Sequence, residues 1–377
     1  MNIFYNPVRT VQGIGCLNQL PKLVEEAAPF TQQILLLVWD ESLLQQKEFQ
    51  SLLHGENGNR ILVRSLSCSN PELEQLYMMY EQTKNLNIGC VIAVGGGSVL
   101  DVGKSLCCLY GKELASAEDL RTLIAEKRYE KSACRWIGIP TTAGTGSEVT
   151  CWATIWDSAN SVKYSIETQE NYAYAAVVDP QLTQTMPIEL AVSSALDAVA
   201  HAAESYWAKA TNITSRGLAL TAIRTIMEQL DALLERPEDI NVRDSIAQGS
   251  MLAGLAFSNT HTTACHSISY PLTMRYHIPH GVAVSLLLGP IMELNASKVQ
   301  DLDALLKAFE IERPTQLRER IESVLVLAGY HIRLQEWGST VEDIPYLVSH
   351  SIATGRADNN PAELTDPVVR DILTSIF

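Results

Sequence analysis

The two halves of the chain have different hydrophobic periodicities. In the first half, short apolar runs such as residues 90–94 alternate with amphipathic segments, a pattern typical of parallel strands joined by helices. From Ile188 onward, strand signals nearly vanish and helical spacing dominates. Because the pattern changes near residues 180–187, we expect an α/β domain over residues 1–184 and an all-helical domain over residues 185–377.

Composition narrows the function classes. The chain has 377 residues, of which 46% are hydrophobic and 19% charged, as in ordinary globular proteins. Its net charge of −15 argues against nucleic acid or an acidic membrane as a partner. No apolar run reaches the roughly 18 residues of a membrane span, and the first residues lack a signal-peptide pattern, so we expect a cytoplasmic protein. The eight cysteines contain no CxxC pair and are interpreted as reduced thiols.

Two glycine-rich turns follow apolar strands in the first half. Gly95, Gly96 and Gly97 come directly after the strand at 90–94 and open a helix. Backbone amides and the helix dipole at such a turn can hold a pyrophosphate, although a glycine run often marks only a turn. A second turn, PTTAGTGSEVT at 140–150, follows the apolar segment WIGI. Two such turns favour a dinucleotide site more than either one alone.

Asp40 ends an earlier predicted strand. A carboxylate there can accept a hydrogen bond from the adenosine ribose 2′-hydroxyl and would repel a 2′-phosphate, which favours NAD(H) over NADP(H). A helix N-cap or an exposed carboxylate is an almost equally good interpretation.

The second half contains a candidate metal site. Asp197 and His201 lie four residues apart in a predicted helix, so both side chains can reach one point. Such a pair is more often solvated or locally hydrogen-bonded than metal-binding. Here, however, the surrounding residues are Ala, Val and Leu, among which an unpaired charge is costly to bury.

Two more imidazoles can complete that site. His266 and His280 are separated by a segment that contains Pro271 and Pro279, so we expect the chain to turn between them. Three imidazole nitrogens and one carboxylate oxygen suit Fe(II) or Zn(II) better than Mg(II) or Ca(II).

Six motifs in order resemble those of the iron-containing (group III) alcohol dehydrogenase family. They are GGGSVLDVGK, PTTAGTGSEVT, VVDPQLT, ALDAVAHAAESY, GLAFSN and YHIPHG. The resemblance runs nearly end to end. It implies the dehydroquinate synthase-like fold, with an N-terminal α/β dinucleotide-binding domain, an all-helical C-terminal domain and an active site between them. It also implies reversible hydride transfer between NAD(P)H and an aldehyde or ketone, in a homodimer or larger assembly.

The resemblance also implies roles for individual residues. The implied metal ligands are Asp197, His201, His266 and His280. The implied cofactor contacts are Asp40, Asn70, Gly96, Gly97, Ser98, Thr141, Thr142, Thr150 and Lys163, with Asp101 supporting the glycine turn and Leu182 lining the pocket.

The chain departs from the family pattern at Tyr270, where the family commonly has a second histidine four residues after the third ligand. If that histidine relays a proton, Tyr270, His277, water or the cofactor ribose must replace it here. Tyr270 is alternatively a wall of the pocket.

A second departure, PLTMRYH, concerns the substrate. It places Arg275 near the expected active site with Lys163 opposite, so Arg275 is a candidate to bind a carboxylate or phosphonate. The WATIWD and VKYS pattern is similar to the phosphonoacetaldehyde reductase branch of the family. A simple surface arginine is the alternative for Arg275.

Two other functions remain open at the sequence level. One is a glycerol dehydrogenase-like or dehydroquinate synthase-like reaction on the same fold. The other is a nucleotide-binding protein without catalytic activity, which only Tyr270 supports.

Overall fold

The chain divides into two compact units. The computed structural model describes residues 3–67, 69–129, 132–160, 162–352 and 356–377. One unit consists of Asn6–Thr142 and Ser147–Leu182, and the other of Thr183–Phe377 with Ala143–Gly146 and the first residues up to Tyr5. The short stretch Ala143–Gly146 therefore belongs with the C-terminal unit although it lies in the first half of the sequence.

A parallel sheet forms the centre of the N-terminal unit. Its strands are β1 (Arg9–Gln12), β2 (Gln33–Val38), β3 (Ile61–Ser65), β4 (Ile88–Gly95), β5 (Arg135–Pro140) and, last in sequence, β8 (Ala175–Val178). In the described part of the chain these strands lie in the order β1-β8-β5-β4-β2-β3. The strands β6 (Trp152–Asp157) and β7 (Val162–Glu167) form a separate antiparallel pair. The predicted α/β architecture of the N-terminal half is confirmed.

Both faces of the sheet are covered, which explains why β4 and β8 are buried throughout and why β2 is buried and apolar after its first residue. The helices of this unit are α1 (Leu20–Ala27), α2 (Lys47–His54), α3 (Leu73–Thr83), α4 (Gly97–Leu109) and α5 (Ala117–Ala125). Alternate residues of β2 point to opposite sides: Leu35 and Leu37 pack in one core cluster with α3, α4 and α5. Ile34, Leu36 and Val38 pack in another with α1 and α2. The side chains from Ile34 to Val38 therefore all have an apolar environment.

Helix α4 lies very close to β4. A Cβ atom built on Gly103 would be 2.9 Å from the Cβ of Ala93. Only glycine at position 103 therefore allows α4 to lie this close to β4, the strand that precedes it at the first glycine turn.

The C-terminal unit is helical in the part that the structure describes, as predicted. Its helices are α6 (Ile188–Trp207), α7 (Ile213–Met227), α8 (Leu230–Glu235), α9 (Ile240–Phe257), α10 (Ala264–Tyr276), α11 (His280–Asn295), α12 (Leu302–Ala308), α13 (Thr315–Leu327), α14 (Ile344–Ser351) and α15 (Asp366–Ser375). Helix α6 is apolar on most of its surface because α7, α9 and α11 all pack against it. None of the helices in the described ranges has the length and apolarity needed to cross a membrane.

The turn between His266 and His280 lies near Pro279 and not at Pro271. Pro271 is inside α10, which continues through it to Tyr276. A proline in a helix removes one main-chain hydrogen bond but does not always end the helix. The chain instead turns at His277, whose φ of 54° is left-handed, and Pro279 then precedes α11. The expectation of a turn is correct, whereas the role assigned to Pro271 is wrong.

Two of the helical glycines, Gly103 and Gly217, give a matched test of close packing. Gly103→Ala should lower the free energy of unfolding by about 1–2 kcal/mol, because the added methyl group overlaps Ala93. Gly217→Ala, in α7, adds a methyl group with no atom within 4 Å. It should raise the free energy of unfolding by about 0.5–1 kcal/mol through helix propensity. Urea unfolding followed by circular dichroism measures both, and equal shifts would contradict the close packing of α4 on β4.

Candidate metal centre and cofactor loops

Helix α6 carries the first two predicted metal ligands. Asp197 and His201 lie one turn apart on it, with only 5% and 6% of their surfaces exposed. The His201 Nδ1 atom is 4.0 Å from Asp197 Oδ2. The helix therefore holds a carboxylate and an imidazole together inside an apolar environment.

The other two predicted ligands come from the next helix pair. His266 lies in the first turn of α10, and His280 is the first residue of α11. One ligand atom each from Asp197, His201 and His266 lie within 4.8 Å of one another. The Asp197 Oδ1 atom is 3.4 Å from His266 Nε2 and 4.0 Å from His280 Nε2. The structure thus brings all four predicted ligands together.

The donor atoms of this cluster fit a divalent ion. Asp197 Oδ1 and His266 Nε2 are buried, and neither has a hydrogen-bond partner. Unpaired buried polar atoms are rare because each loses its hydration without compensation. Burial lowers the pKa of His201 to about 4, so this imidazole is neutral and has a lone pair to offer. A metal ion bound here would satisfy the two unpaired atoms.

Glu204 supports this cluster and was missed in the sequence analysis. It lies on α6 three residues after His201, is fully buried, and accepts a hydrogen bond from His266 Nδ1. It also accepts from the Thr263 hydroxyl at 2.9 Å, from the Cys265 amide at 2.6 Å and from the His266 amide at 3.3 Å. A buried carboxylate in an apolar helix needs such partners. The position of Glu204 in this apolar stretch was therefore the signal in the sequence that could have identified it.

The Glu204 carboxylate determines the state of His266. Burial alone would lower the pKa of His266, but Glu204, and then Asp197, raise it to about 9. The proton on Nδ1 faces Glu204, so Nε2 is the atom that faces Asp197. Burial would likewise raise the pKa of Asp197, but His201, His266 and His280 outweigh it and hold that pKa below its ordinary value. Orientation of a ligand histidine by a carboxylate is the usual arrangement in metal sites.

The second glycine turn also contacts the cluster. The Gly144 carbonyl oxygen is 3.3 Å from His201 Nδ1. A Cβ atom on Gly144 would be 2.7 Å from the Ser194 carbonyl oxygen, and one on Gly146, where φ is +58°, would be 2.5 Å from the Cα of Gly254. These two glycines therefore allow the turn to pack on α6 and α9. Phosphate binding is not needed to explain them.

The first glycine turn brings several predicted cofactor residues together. Gly96 is the N-cap of α4, followed by Gly97 and Ser98. The Thr141 amide donates to the Gly95 carbonyl at 3.0 Å. A Cβ atom on Gly96 would lie 3.5 Å from Thr142 Cγ2. Thr141 and Thr142 thus lie beside this turn, at the carboxyl ends of the neighbouring strands β4 and β5.

The strand order places Asp40 at the same edge of the sheet. The order reverses between β2 and β4, since β3 lies beyond β2 and the later strands lie on the other side of β4. Ligands of open α/β sheets bind at such a reversal, outside the carboxyl ends of the strands. Asp40 follows β2 and accepts a hydrogen bond from the Ser42 amide at 2.7 Å, and the Ser42 hydrogen bonds lower its pKa. The N-cap interpretation is therefore correct for Asp40, and a ribose contact stays a prediction.

Asp101, Lys104 and Thr150 form a buried polar network behind the first turn. Lys104 is fully buried, and its Nζ atom is 3.3 Å from Asp101 Oδ1 and 3.1 Å from the Thr150 hydroxyl. Asp101 also accepts from the Ser147 hydroxyl at 2.6 Å and from the Thr154 amide at 2.9 Å. This network joins α4 to the segment after the second turn. The Thr150 hydroxyl is thus already bonded within the protein.

The remaining predicted cofactor residues have separate surroundings. Ser98 donates to the Ser69 carbonyl at 2.7 Å, next to the exposed Asn70. Lys163 Nζ lies 5.0 Å from the centre of the Trp156 ring. Leu182 is 4% exposed and packs in the core with α1 and α2. Cofactor contacts of these residues stay predictions.

Tyr270 lies beside the cluster of predicted metal ligands. Its ring stacks on His280, with ring centres 6.2 Å apart. The guanidinium carbon of Arg356 lies 4.8 Å from the centre of the same ring. Burial raises the pKa of Tyr270 to about 12, although the Arg356 charge opposes this shift. Arg356 was missed in the sequence analysis because nothing in the local sequence connects it with Tyr270.

The two other predicted site residues on this helix have different surroundings. Arg275 donates to Asp343 at 2.6 Å and lies over the Tyr346 ring, so its charge already has a partner. His277 is exposed at the end of α10.

Comparison with known proteins identifies the family. Residues 7–180 match the model described as iron-containing alcohol dehydrogenase, and residues 191–377 match the C-terminal model of the Fe-containing alcohol dehydrogenase family. The long-chain-alcohol dehydrogenase 1 of Geobacillus thermodenitrificans is 34% identical over 293 residues, which are 77% of this chain and 72% of that protein. The chain belongs to the iron-containing alcohol dehydrogenase family. The predicted family and the predicted class of enzyme, an alcohol dehydrogenase, are confirmed.

Two further relatives of this iron-containing alcohol dehydrogenase cover almost its whole length. Choline dehydrogenase of Bacillus subtilis is 28% identical and spans 99% of this chain and 94% of that protein. The crystal structure of sulfoacetaldehyde reductase from Bifidobacterium kashiwanohense in complex with NAD+ is 25% identical, with a TM-score of 0.88, and covers 100% of this chain and 98% of that chain. The predicted fold is confirmed by this similarity.

Glu204 gives a test of the metal centre that does not depend on catalysis. Glu204→Gln keeps the size of the side chain but replaces a charged acceptor for His266 Nδ1 with a neutral amide. We expect the affinity for Zn(II) or Fe(II) to fall about 10–100-fold, as is typical when the partner of a ligand histidine is lost. Chelator competition measures this change. The exposed Glu228, which follows the last residue of the neighbouring helix α7, provides the control Glu228→Gln, and equal affinities in the two variants would contradict the role of Glu204.

Proposed function

We propose that the protein is a metal-dependent, NAD(H)-linked reductase of small aldehydes, with preference for aldehydes that carry an anionic group. The observation that carries the metal dependence is the convergence of Asp197, His201, His266 and His280 around two buried atoms that have no hydrogen-bond partner. The sulfoacetaldehyde reductase of similar structure supports an anionic aldehyde as the substrate, and its NAD+ complex supports NAD(H). Fe(II) is the proposed ion, and Zn(II) is the alternative for this donor set.

The proposed ligands and Glu204 have different roles in binding the ion. Asp197 supplies the charge, the neutral His201 supplies a lone pair, and Glu204 holds one proton of His266 on Nδ1, so that an ion has only the Nε2 proton to displace. His280 is the most exposed ligand, with 38% of its side chain accessible. An ion bound there supplies Lewis-acid chemistry for a carbonyl group.

The residues at the sheet edge are proposed to orient the cofactor. The amides of Gly97 and Ser98 at the start of α4 suit a pyrophosphate, and Asp40 suits a ribose hydroxyl. Bound nicotinamide supplies the hydride. Positioning of both partners is then the main contribution of the protein.

Tyr270 is proposed to supply or relay the proton, with His277 as the other predicted candidate. A phenol with a pKa near 12 keeps its proton at neutral pH. Tyr270 is therefore able to donate a hydrogen bond or a proton from its hydroxyl group, but it is not able to act as a base there.

We also propose that the protein works in the cytoplasm as a homodimer or larger homo-oligomer. The resemblance to the family supports both proposals.

The function is tested by NADH and NADPH oxidation with Fe(II)- or Zn(II)-loaded protein. We expect faster turnover of sulfoacetaldehyde and phosphonoacetaldehyde than of propanal and butanal, with NADH preferred. Asp197→Ala should lose about 1,000-fold or more of this activity because the ion loses its only charged ligand. The control is Asp303→Ala, which removes an exposed carboxylate from α12. Full activity in Asp197→Ala would contradict the proposed metal dependence, and no turnover by the wild type with either metal would favour a nucleotide-binding protein without this catalysis.

The choice of cofactor is tested at Asp40. Asp40→Ser removes the charge but keeps a side chain that is able to cap the following turn, so capping and cofactor choice are separated. We expect the ratio of kcat/KM for NADH to that for NADPH to fall by about tenfold or more, because the 2′-phosphate is no longer repelled. An unchanged ratio would limit Asp40 to its role as a cap.

A further inference from the structure

Arg356 holds a positive charge that one aromatic ring, that of Tyr270, separates from the proposed ligand His280. Its guanidinium carbon lies over the Tyr270 ring, 4.8 Å from the ring centre, and the residue is only partly exposed. Among the described residues, its guanidinium forms no ion pair with a carboxylate. With respect to the described part of the chain, the donors of this guanidinium are therefore available to a ligand.

Tyr270 connects this charge to the proposed metal ligands. Its ring contacts Arg356 and also stacks on His280 at 6.2 Å, with the two ring planes within 13° of parallel. His280 Nε2 is in turn 4.0 Å from Asp197 Oδ1. One aromatic ring thus separates a free cationic group from a ligand of the site where the carbonyl group is expected.

The geometry of a guanidinium suits one class of substrate group. Its planar set of N–H donors forms paired, charge-assisted hydrogen bonds with sulfonate, phosphonate or carboxylate oxygens. The cation–π contact with Tyr270 restricts the movement of the guanidinium and so reduces the entropy lost when an anion binds. A neutral aldehyde offers no such partner.

Arg275 is the competing candidate, and its contacts argue against it. It also lies over an aromatic ring, that of Tyr346, but its guanidinium donates to Asp343 at 2.6 Å. An anionic substrate would have to displace that carboxylate. The two full-length relatives are named for substrates of opposite charge, the choline cation and the sulfoacetaldehyde anion. A free arginine beside the proposed site favours the anion.

We infer that Arg356, oriented by Tyr270, binds the anionic group of the substrate and determines the preference for anionic over neutral aldehydes. The inference rests on the proposed function and names its specificity-determining residue. Arg275 has a structural role in joining α10 to the start of α14.

The test compares Arg356→Gln with Arg275→Gln, since both remove an arginine that lies over a tyrosine ring in the same unit. With NADH and Fe(II)-loaded protein, Arg356→Gln should lower kcat/KM for sulfoacetaldehyde about 100-fold, mainly through KM, and change that for propanal less than about threefold. Arg356→Lys should fall between Arg356→Gln and the wild type, because it keeps the charge but loses the paired donors. Arg275→Gln should leave the ratio of the two substrates unchanged. Thermal unfolding checks that each variant is folded.

Binding of ethanesulfonate, a non-reactive anion, provides a second measurement without turnover. Isothermal titration calorimetry should show binding to the wild type and to Arg275→Gln, and its loss in Arg356→Gln. An unchanged preference for sulfoacetaldehyde in Arg356→Gln, or equal use of sulfoacetaldehyde and propanal by the wild type, would overturn the inference and leave the dehydrogenase intact. If no aldehyde is reduced, the proposed function fails. If ethanesulfonate binds equally well to Arg356→Gln and the wild type, the assignment of Arg356 as the anion site fails.

Discussion

The buried contact between Glu204 and the start of α10 is the interaction on which the metal centre depends. A carboxylate with no solvent exposure, inside the apolar helix α6, is stable only if its oxygens are fully hydrogen-bonded. Two main-chain amides, one hydroxyl and the His266 ring provide those bonds. The same contact therefore anchors α10 on α6 and turns Nε2 of His266 toward Asp197. Stability of the fold and orientation of the ligand are consequences of one group.

Close packing of main chain brings the other ligands to the same point. A Cβ atom on Gly281 would be 2.1 Å from the Ser193 carbonyl oxygen, so the start of α11 is able to touch α6 only because glycine follows His280. Gly144 makes a comparable approach to Ser194 and places its carbonyl oxygen beside His201 Nδ1. Glycines that are far apart in sequence thus determine the spacing of the cluster, and larger residues there would separate the ligands.

The sequence was sufficient for patterns that are local and insufficient for contacts between distant segments. Apolar strands, helical spacing and the four ligand candidates all leave a periodic or compositional trace, and the fold and the convergence of the ligands followed from them. Thr150 and Arg275 resemble ligand-binding residues in sequence, and their contacts with Lys104 and Asp343 are visible only in the fold. Arg356 and Tyr270 meet only through the tertiary fold. Pairing between side chains decides which polar groups are free, and one sequence does not contain that information.

The charges around the cluster explain how a strongly acidic chain can suit an anionic substrate. Asp197 and Glu204 are two buried carboxylates, and a divalent ion would neutralise them together. Without a dication, the nearby imidazoles must compensate, which is the physical reason that the pKa of His266 rises to about 9. With a dication bound, Arg356 contributes a positive charge that these carboxylates no longer balance. The net charge of −15 repels extended polyanions, and salt limits this repulsion to short distances. A guanidinium, in contrast, selects a small anion by direct contact.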